Sequence, residues 1–269
     1  WVSRPRGPST VTTQGSSIRR NVTRTRSLLV LSALRSSNHD TLTRRALRRV
    51  HAAPLFIPWA AGDIHARMIA STEEKIARLE LVHRIGVALS AERDRDRLLE
   101  MILLEAKRLC RADGGTLYLR TEEDTLRFAI MRNDSLGIAL GGTTGKPIDL
   151  APLPMRDANG RPNHNNVATC AALMRSSITI PDAYEAAGFD FSGTKRFDEK
   201  AGYRSKSFLT IPLVNSEFRV IGVLQLLNAQ HPVTNEVIAF DPEDVRIVEA
   251  LASQAAVALD NQMLLEAQK

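Results

Sequence analysis

The residues best suited to hold a small ligand fall in two clusters. The first is Asn163-His164-Asn165-Asn166, directly before the apolar run that begins at Val167. Asn165 and Asn166 therefore stand at an expected helix start. Free backbone N–H groups there, with side-chain amides beside them, suit an anionic or purine ligand. The same residues would serve equally as a loop and helix cap with nothing bound. The second cluster is Thr194, Asp198 and Tyr203, in a polar stretch closed by a Gly202-Tyr203 turn. Asp198 could accept from a ligand ring N–H or a backbone amide. Its alternative is a solvated loop in which it pairs with Lys195, Arg196 or Arg204. Glu199 and Lys200 read as exposed charges.

Neither cluster contains a nucleophile with an adjacent base and acid, so binding is expected and catalysis is not. Gly141-Gly142-Thr143-Thr144-Gly145-Lys146 superficially resembles a phosphate-binding loop, but Pro147 stands where Ser or Thr is needed. We read it as a flexible loop and exclude nucleotide hydrolysis. The two cysteines, Cys110 and Cys170, have no metal-ligand spacing. Neither a metal nor a cofactor is expected. Cys170 reads as a small buried thiol and His83 as a surface residue. Two isolated thiols fit a reducing compartment, hence a cytoplasmic location. No stretch approaches the roughly 18 residues of apolar sequence that span a bilayer.

The net charge of +6 is unevenly distributed. Residues 1–67 hold 12 arginines, no lysine, and only Asp40 and Asp63 as acids. The remainder is mildly acidic, so a nucleic-acid reading rests on that segment alone, and no nucleic-acid partner is assigned. For the segment, three readings stay open: an Arg- and Ser-rich transit peptide, a basic arm, or upstream sequence before a mis-assigned start. Residues 1–70 are expected to be a disordered basic segment. Residues 71–269 are expected to form one domain with flanking signalling helices.

The elements that must position the two clusters follow from periodicity. Ser71 or Thr72 opens a helix with Ile76, Leu79, Val82, Ile85 and Leu89 on one face. Leu98, Leu99, Ile102, Ala106 and Leu109 form a second helix, ending near Asp113-Gly114-Gly115. Thr116–Arg120 and Thr125–Arg132 read as a hairpin, with Leu126, Phe128 and Ile130 pointing one way. Residues 135–163 read as irregular. A helix from about Asn165 through Met174 and a short strand, Ile178–Ile180, come next. Ser207–Val214 and Val220–Asn228 are apolar on both faces, as in strands covered on both sides. Pro212 implies a bulge or an unpaired edge. Asp241-Pro242-Glu243-Asp244 starts a final helix carrying Val248, Leu251, Ala255, Ala258, Gln262 and Leu265 in a stripe. That stripe could form a two-helix seam or pack on the chain's own sheet. No stop signal precedes Lys269, so the helix is expected to continue into a further domain. The order implies an α+β, α/β/α sandwich: one central antiparallel sheet flanked by helices.

With these elements laid out, the chain resembles a GAF domain over about residues 79–265. The resemblance is carried by ADGGTLYLR at Ala112–Arg120, LRFAIMRNDSL at Leu126–Leu136, RPNHNNVA at Arg161–Ala168 and ITIPDAY at Ile178–Tyr184. AGYRSKSFLTIPL and VIGVLQLLNA complete it. It is similar to GAF domains of cyclic-nucleotide phosphodiesterases and adenylate cyclases, and to those preceding bacterial HD-GYP phosphodiesterases. The resemblance implies a small ligand, a cyclic nucleotide among the candidates, held between sheet and lid. It also implies a homodimer through the terminal helices and a C-terminal output domain, HD-GYP being one candidate. A ligand-free dimerisation module is the alternative. Of the dispersed Asn-Lys-Phe-Asp-Glu signature, Asp198 matches the Asp. Thr179 stands at the Asn position, which adds it to the candidate ligand residues, and Glu185 replaces the Lys. The chain has no Gly-Tyr-Pro string, and its only His-Asp dipeptide is His39-Asp40, so phosphodiesterase chemistry is not expected within it.

Overall fold

The computed structural model describes residues 60–268. The arginine-rich residues 1–59, and the readings placed on them, lie outside the described residues. The expected α+β sandwich is formed. One antiparallel sheet of eight strands has the order β3-β2-β1-β7-β6-β5, with β4 beside β2 and β8 beside β7. The strands are β1 (Ala112–Arg120), β2 (Thr125–Asn133), β3 (Ile138–Gly141), β4 (Leu153–Pro154), β5 (Ile178–Ile180), β6 (Phe208–Val214), β7 (Val220–Gln230) and β8 (Val237–Ile238). The helices are α1 (Ala60–Ala91), α2 (Arg95–Leu109), α3 (Val167–Met174), α4 (Ser192–Ala201) and α5 (Pro242–Ala267).

Helices α1, α2 and α5 close one face of the sheet over the main core, which includes Leu98, Ile102, Leu117, Leu224 and Leu251. On the opposite face α3 packs against β6 and β7. Two smaller apolar clusters lie there, one around Tyr118 and Met155 and one around Phe191 and Phe208. The helix starts follow the sequence. Asp94 accepts from Arg97 N, Asn166 from Ala168 N and Thr169 N, and Asp241 from Glu243 N, with Pro242 in the first turn. Strands β6 and β7 are buried almost throughout, as their apolar runs require. Pro212 pairs with Val223 of β7 just before a register shift, and β5 reaches only as far as Thr210, leaving no strand on the other side of Pro212.

Several expectations are corrected. Helix α1 begins at Ala60, well before Ser71. Its stripe is buried only from Val82 onward; Ile76 and Leu79 are exposed. Strand β1 starts at Ala112, so Asp113-Gly114-Gly115 is strand, not helix end. A bulge on β2 sits opposite Leu117/Tyr118. It places Ile130 in the main core, while Leu126 and Phe128 join the cluster on the other face. Residues 135–163 contain β3, β4 and a 3-10 turn, Gly142–Thr144. The stretch 192–201 is a helix, α4, where a loop was expected.

The first half of the α5 stripe packs within the chain. Val248, Leu251 and Ala255 are fully buried against sheet and neighbouring helices, whereas Leu265 at its far end is exposed. Where α1 meets α5, Gln254 rests on Gly86, and a Cβ at that glycine would lie 1.5 Å from Gln254 Oε1. That oxygen is buried without a hydrogen-bond partner.

This packing predicts that Leu251→Glu unfolds the domain, at a cost above about 4 kcal/mol from a buried unpaired carboxylate. Val257→Glu, on the exposed side of α5, should change stability by less than about 0.5 kcal/mol. Thermal melts followed by circular dichroism compare the two; similar midpoints would contradict the intramolecular seam.

Candidate functional site

On the α3 and α4 side, the sheet carries a polar row instead of continuous hydrocarbon. Thr116, Gln225 and Thr210 are register partners across β1, β7 and β6. Tyr118 Oη donates to Gln225 Oε1 at 3.2 Å, and Gln225 Nε2 donates to Thr210 Oγ1 at 3.1 Å. Burial pushes the Tyr118 hydroxyl pKa up, which keeps it a donor across the physiological range.

Helix α4 covers the end of this face and is held there by polar bonds. Asp198 is its only buried residue. The carboxylate accepts from Tyr184 Oη, Ser205 N and Ser205 Oγ, each at 2.8 Å. These donors come from the loop after β5 and from the approach to β6. The helix ends at Gly202, whose φ of 61° is readily reached only by residues that tolerate the left-handed region. Lys195 and Arg204, two of the anticipated Asp198 partners, lie instead over the Tyr184 ring, at 5.1 and 4.1 Å from its centroid. The bond to Asp198, with burial next, pushes the Tyr184 hydroxyl pKa up.

Immediately after α4, Tyr203 ties the lid to the sheet. Its hydroxyl donates to Asp113 and accepts from Asn228 Nδ2 at 2.8 Å. Asn228 also donates to Arg204 O and accepts from Lys206 N, so its side chain spans β7 and the chain entering β6. Asp113 further accepts from Ser135 N and Ser135 Oγ. Burial, then the Asp113 bond, push the Tyr203 hydroxyl pKa up.

Between α4 and the sheet is a cavity of about 50 Å³, lined by Thr116, Met131, Asn133, Phe197, Tyr203 and Leu227, among others. It has room for a few waters, whereas drug-sized ligands occupy roughly 300–1,000 Å³. A nucleotide would fit only with α4 displaced. Phe197, on α4, lines the cavity yet is 45% exposed, so apolar packing does little to retain the helix.

The structure brings together only part of the anticipated set. Tyr203 lines the cavity, and Asp198 stands behind it through Ser205. Thr194 is half-buried on α4 and does not line it. Asn166 spends its side chain capping α3, and the exposed Asn165 offers its carbonyl to Asp190 N. Thr179 pairs with Leu209, whose side chain belongs to the main core, so Thr179 faces away from the lid. Asp113, Tyr184, Ser205 and Asn228 were not anticipated. Asn228 alone left a trace, as a polar residue ending a long apolar strand.

The glycine-rich loop has a different use. Arg132, 7% exposed, donates to Glu100 Oε1 at 2.6 Å and to Leu140 O. Glu100 also accepts from Thr143 Oγ1. The bracket fastens Gly142–Thr144 to α2, which is not how a phosphate cradle is built. Burial pushes the Glu100 carboxyl up, but bonds from Thr143 and Arg132 and the guanidinium charge outweigh it and hold it below 4.5. No group of three or more His, Cys, Asp or Glu side chains among the described residues is placed to hold a metal ion, and none of their helices is long and apolar enough to cross a membrane.

Comparison with known proteins gives a consistent picture. The family model for the GAF domain matches residues 94–259. The cGMP-specific 3′,5′-cyclic phosphodiesterases of Drosophila sechellia and Drosophila melanogaster are each 27% identical over 206 residues. Those alignments cover 74% of this chain but 15% and 16% of the relatives' own lengths. Among solved structures, the GAF domain of an Acinetobacter phosphoenolpyruvate-protein phosphotransferase superposes with a TM-score of 0.51 at 13% identity, over 71% of this chain and 98% of that one. The GAF domain of the corresponding Coxiella burnetii protein gives 0.52 at 13% identity, over 71% and 96%.

Two outcomes follow from the brackets. Asp198→Ala should cost about 1–3 kcal/mol through lost charge-assisted bonds, and amide exchange over α4 should accelerate, while Glu199→Ala leaves both unchanged. Equal exchange in the two variants would remove the anchor assignment. Because the folded Glu100 pKa is lowered, its stabilisation is present above its ordinary value of 4.5 and is lost as pH falls through the lowered value. Melts taken from pH 5 down to about 3 should therefore decline less steeply for Glu100→Gln than for the unmodified chain.

Proposed function

The chain belongs to the GAF domain family, a family of regulatory modules, and from that premise we propose that it senses a small molecule beneath α4. The observation that carries the reading is the lid's construction. Helix α4 lies over a polar, partly hollow sheet face, and its only buried residue is a carboxylate on neutral donors. Such a helix can be released by exchanging three hydrogen bonds for bonds to water, with little apolar surface to expose. A ligand entering below it would meet Thr116, Asn133 and Tyr203 as polar partners and Met131 and Leu227 as apolar walls. Cyclic nucleotides are the class to test first. The support is the Drosophila relatives, whose names specify cGMP, together with the match at Asp198. Displacement of α4 would act on β6 through Ser205 and on β1 through Tyr203 and Asp113, and α5 packs against β6. In this proposal α5 passes the change to an adjoining output domain.

The narrowness of the cavity favours a second reading, a ligand-free module that associates through its helices. Exposed Ile76 and Leu79 on α1 and Leu264 and Leu265 on α5 supply apolar surface for a homodimer. The seam through Leu251 and Ala255, being spent on the core, does not.

A thermal-shift screen of cyclic mono- and dinucleotides separates the two. A ligand at 100 times its Kd should add about 2.7 kcal/mol of stability, and Tyr203→Phe should diminish that gain. No shift with any member at millimolar concentration, with dimers by light scattering, would replace the sensing proposal with the association module.

A further inference from the structure

A soft-donor cluster on α3 is not used by the lid. Cys170 Sγ lies 3.6 Å from His164 Nδ1 and 3.5 Å from Met174 Sδ. Cys170 and Met174 are one turn apart on α3, and His164 comes from the loop before it. As hydrogen bonds the contacts close with His164 Nδ1–H donating to Sγ and the thiol donating to Met174 Sδ. The same separations also suit three donors sharing one metal ion. Donors bound to one ion at about 2.0–2.3 Å stand roughly 3.5 Å apart, the separation found on both sides of the sulfur.

We propose that Cys170, His164 and Met174 form a three-coordinate site for Cu(I). One thiolate, one thioether and one imidazole are the soft donors that favour this ion. Zinc is disfavoured, because it takes a fourth ligand from Cys, His or carboxylate and does not use thioether. No group of such residues placed to hold a metal ion occurs among the described ones. Access is open: Cys170 is 5% exposed, but Met174 is 60% exposed and His164 is exposed. On binding, the S–H bond breaks, its proton passes to solvent and the sulfur lone pair bonds the ion; no electron is transferred. Nδ1 of His164 coordinates as the neutral tautomer, with the ring proton on Nε2. One proton is displaced per ion, so affinity rises with pH. The spacing of Cys and His along the chain gives no sign of the site, because one of its donors is a methionine.

The test is an anaerobic titration of the full, reduced chain with Cu(I) against a chromophoric Cu(I) chelator. One equivalent should bind, and Met174→Leu and His164→Gln should each weaken it by about tenfold or more, with Cys170→Ser abolishing it and Cys110→Ser leaving it unchanged. X-ray absorption on the loaded chain should show two sulfur neighbours and one nitrogen. Circular dichroism checks each variant; Met174 is exposed, so its replacement tests the site without disturbing the core. Absence of binding, or binding that Met174→Leu and His164→Gln leave untouched, overturns the proposal.

Discussion

A carboxylate removed from water must be met by donors, and at Asp198 that requirement organises one side of the molecule. Three bonds are needed to replace its hydration, and they come from Tyr184 and from the backbone and side chain of Ser205. Meeting them draws α4, the loop after β5 and the approach to β6 to one point. Once they are gathered, Gly202 turns the chain so that Tyr203 reaches Asp113 and Asn228 across the sheet. The lid is thus fixed by direction and charge, while the opposite face is fixed by apolar area.

That division bears on function. Helices α1, α2 and α5 bury leucines and alanines against β1, β6 and β7 and give the domain a face that does not yield. Helix α4 buries almost nothing apolar and gives it a face that can. The sensing proposal draws on both: a floor that keeps its register and a cover held by few apolar contacts. The cavity beneath the cover is small because polar brackets have drawn α4 close to the sheet.

The parts legible in the sequence were those where local chemistry and burial agree. Asp241-Pro242 starts α5, Asn166 caps α3, and the runs of β6 and β7 announce strands covered twice. Helix α4 was hidden because its only large apolar residue is the exposed Phe197 and its anchor is an aspartate, which periodicity counts as surface. Ile130 was assigned to the wrong face because a bulge on β2 reverses the alternation, and nothing in Leu126–Arg132 marks where. Tyr203 was found from its turn. Its partners Asp113 and Asn228 lie far away in sequence, and only strand pairing brings them beneath it. Thr179 was placed by family position alone, and strand pleating points it to the other face.

The unpartnered oxygen of Gln254 against Gly86 has a mechanical consequence. Gln254 occupies a notch that exists only because residue 86 lacks a Cβ. Sliding α1 lengthwise past α5 would bring Val82 or Leu89, the neighbours of Gly86 on the buried face, toward that notch, and their branched side chains cannot enter it. Piston-like travel between the two helices is therefore blocked, while a pivot about the notch keeps the contact intact. A pivot of α1 on α5 would therefore move the helix ends further than the residues beside Gly86.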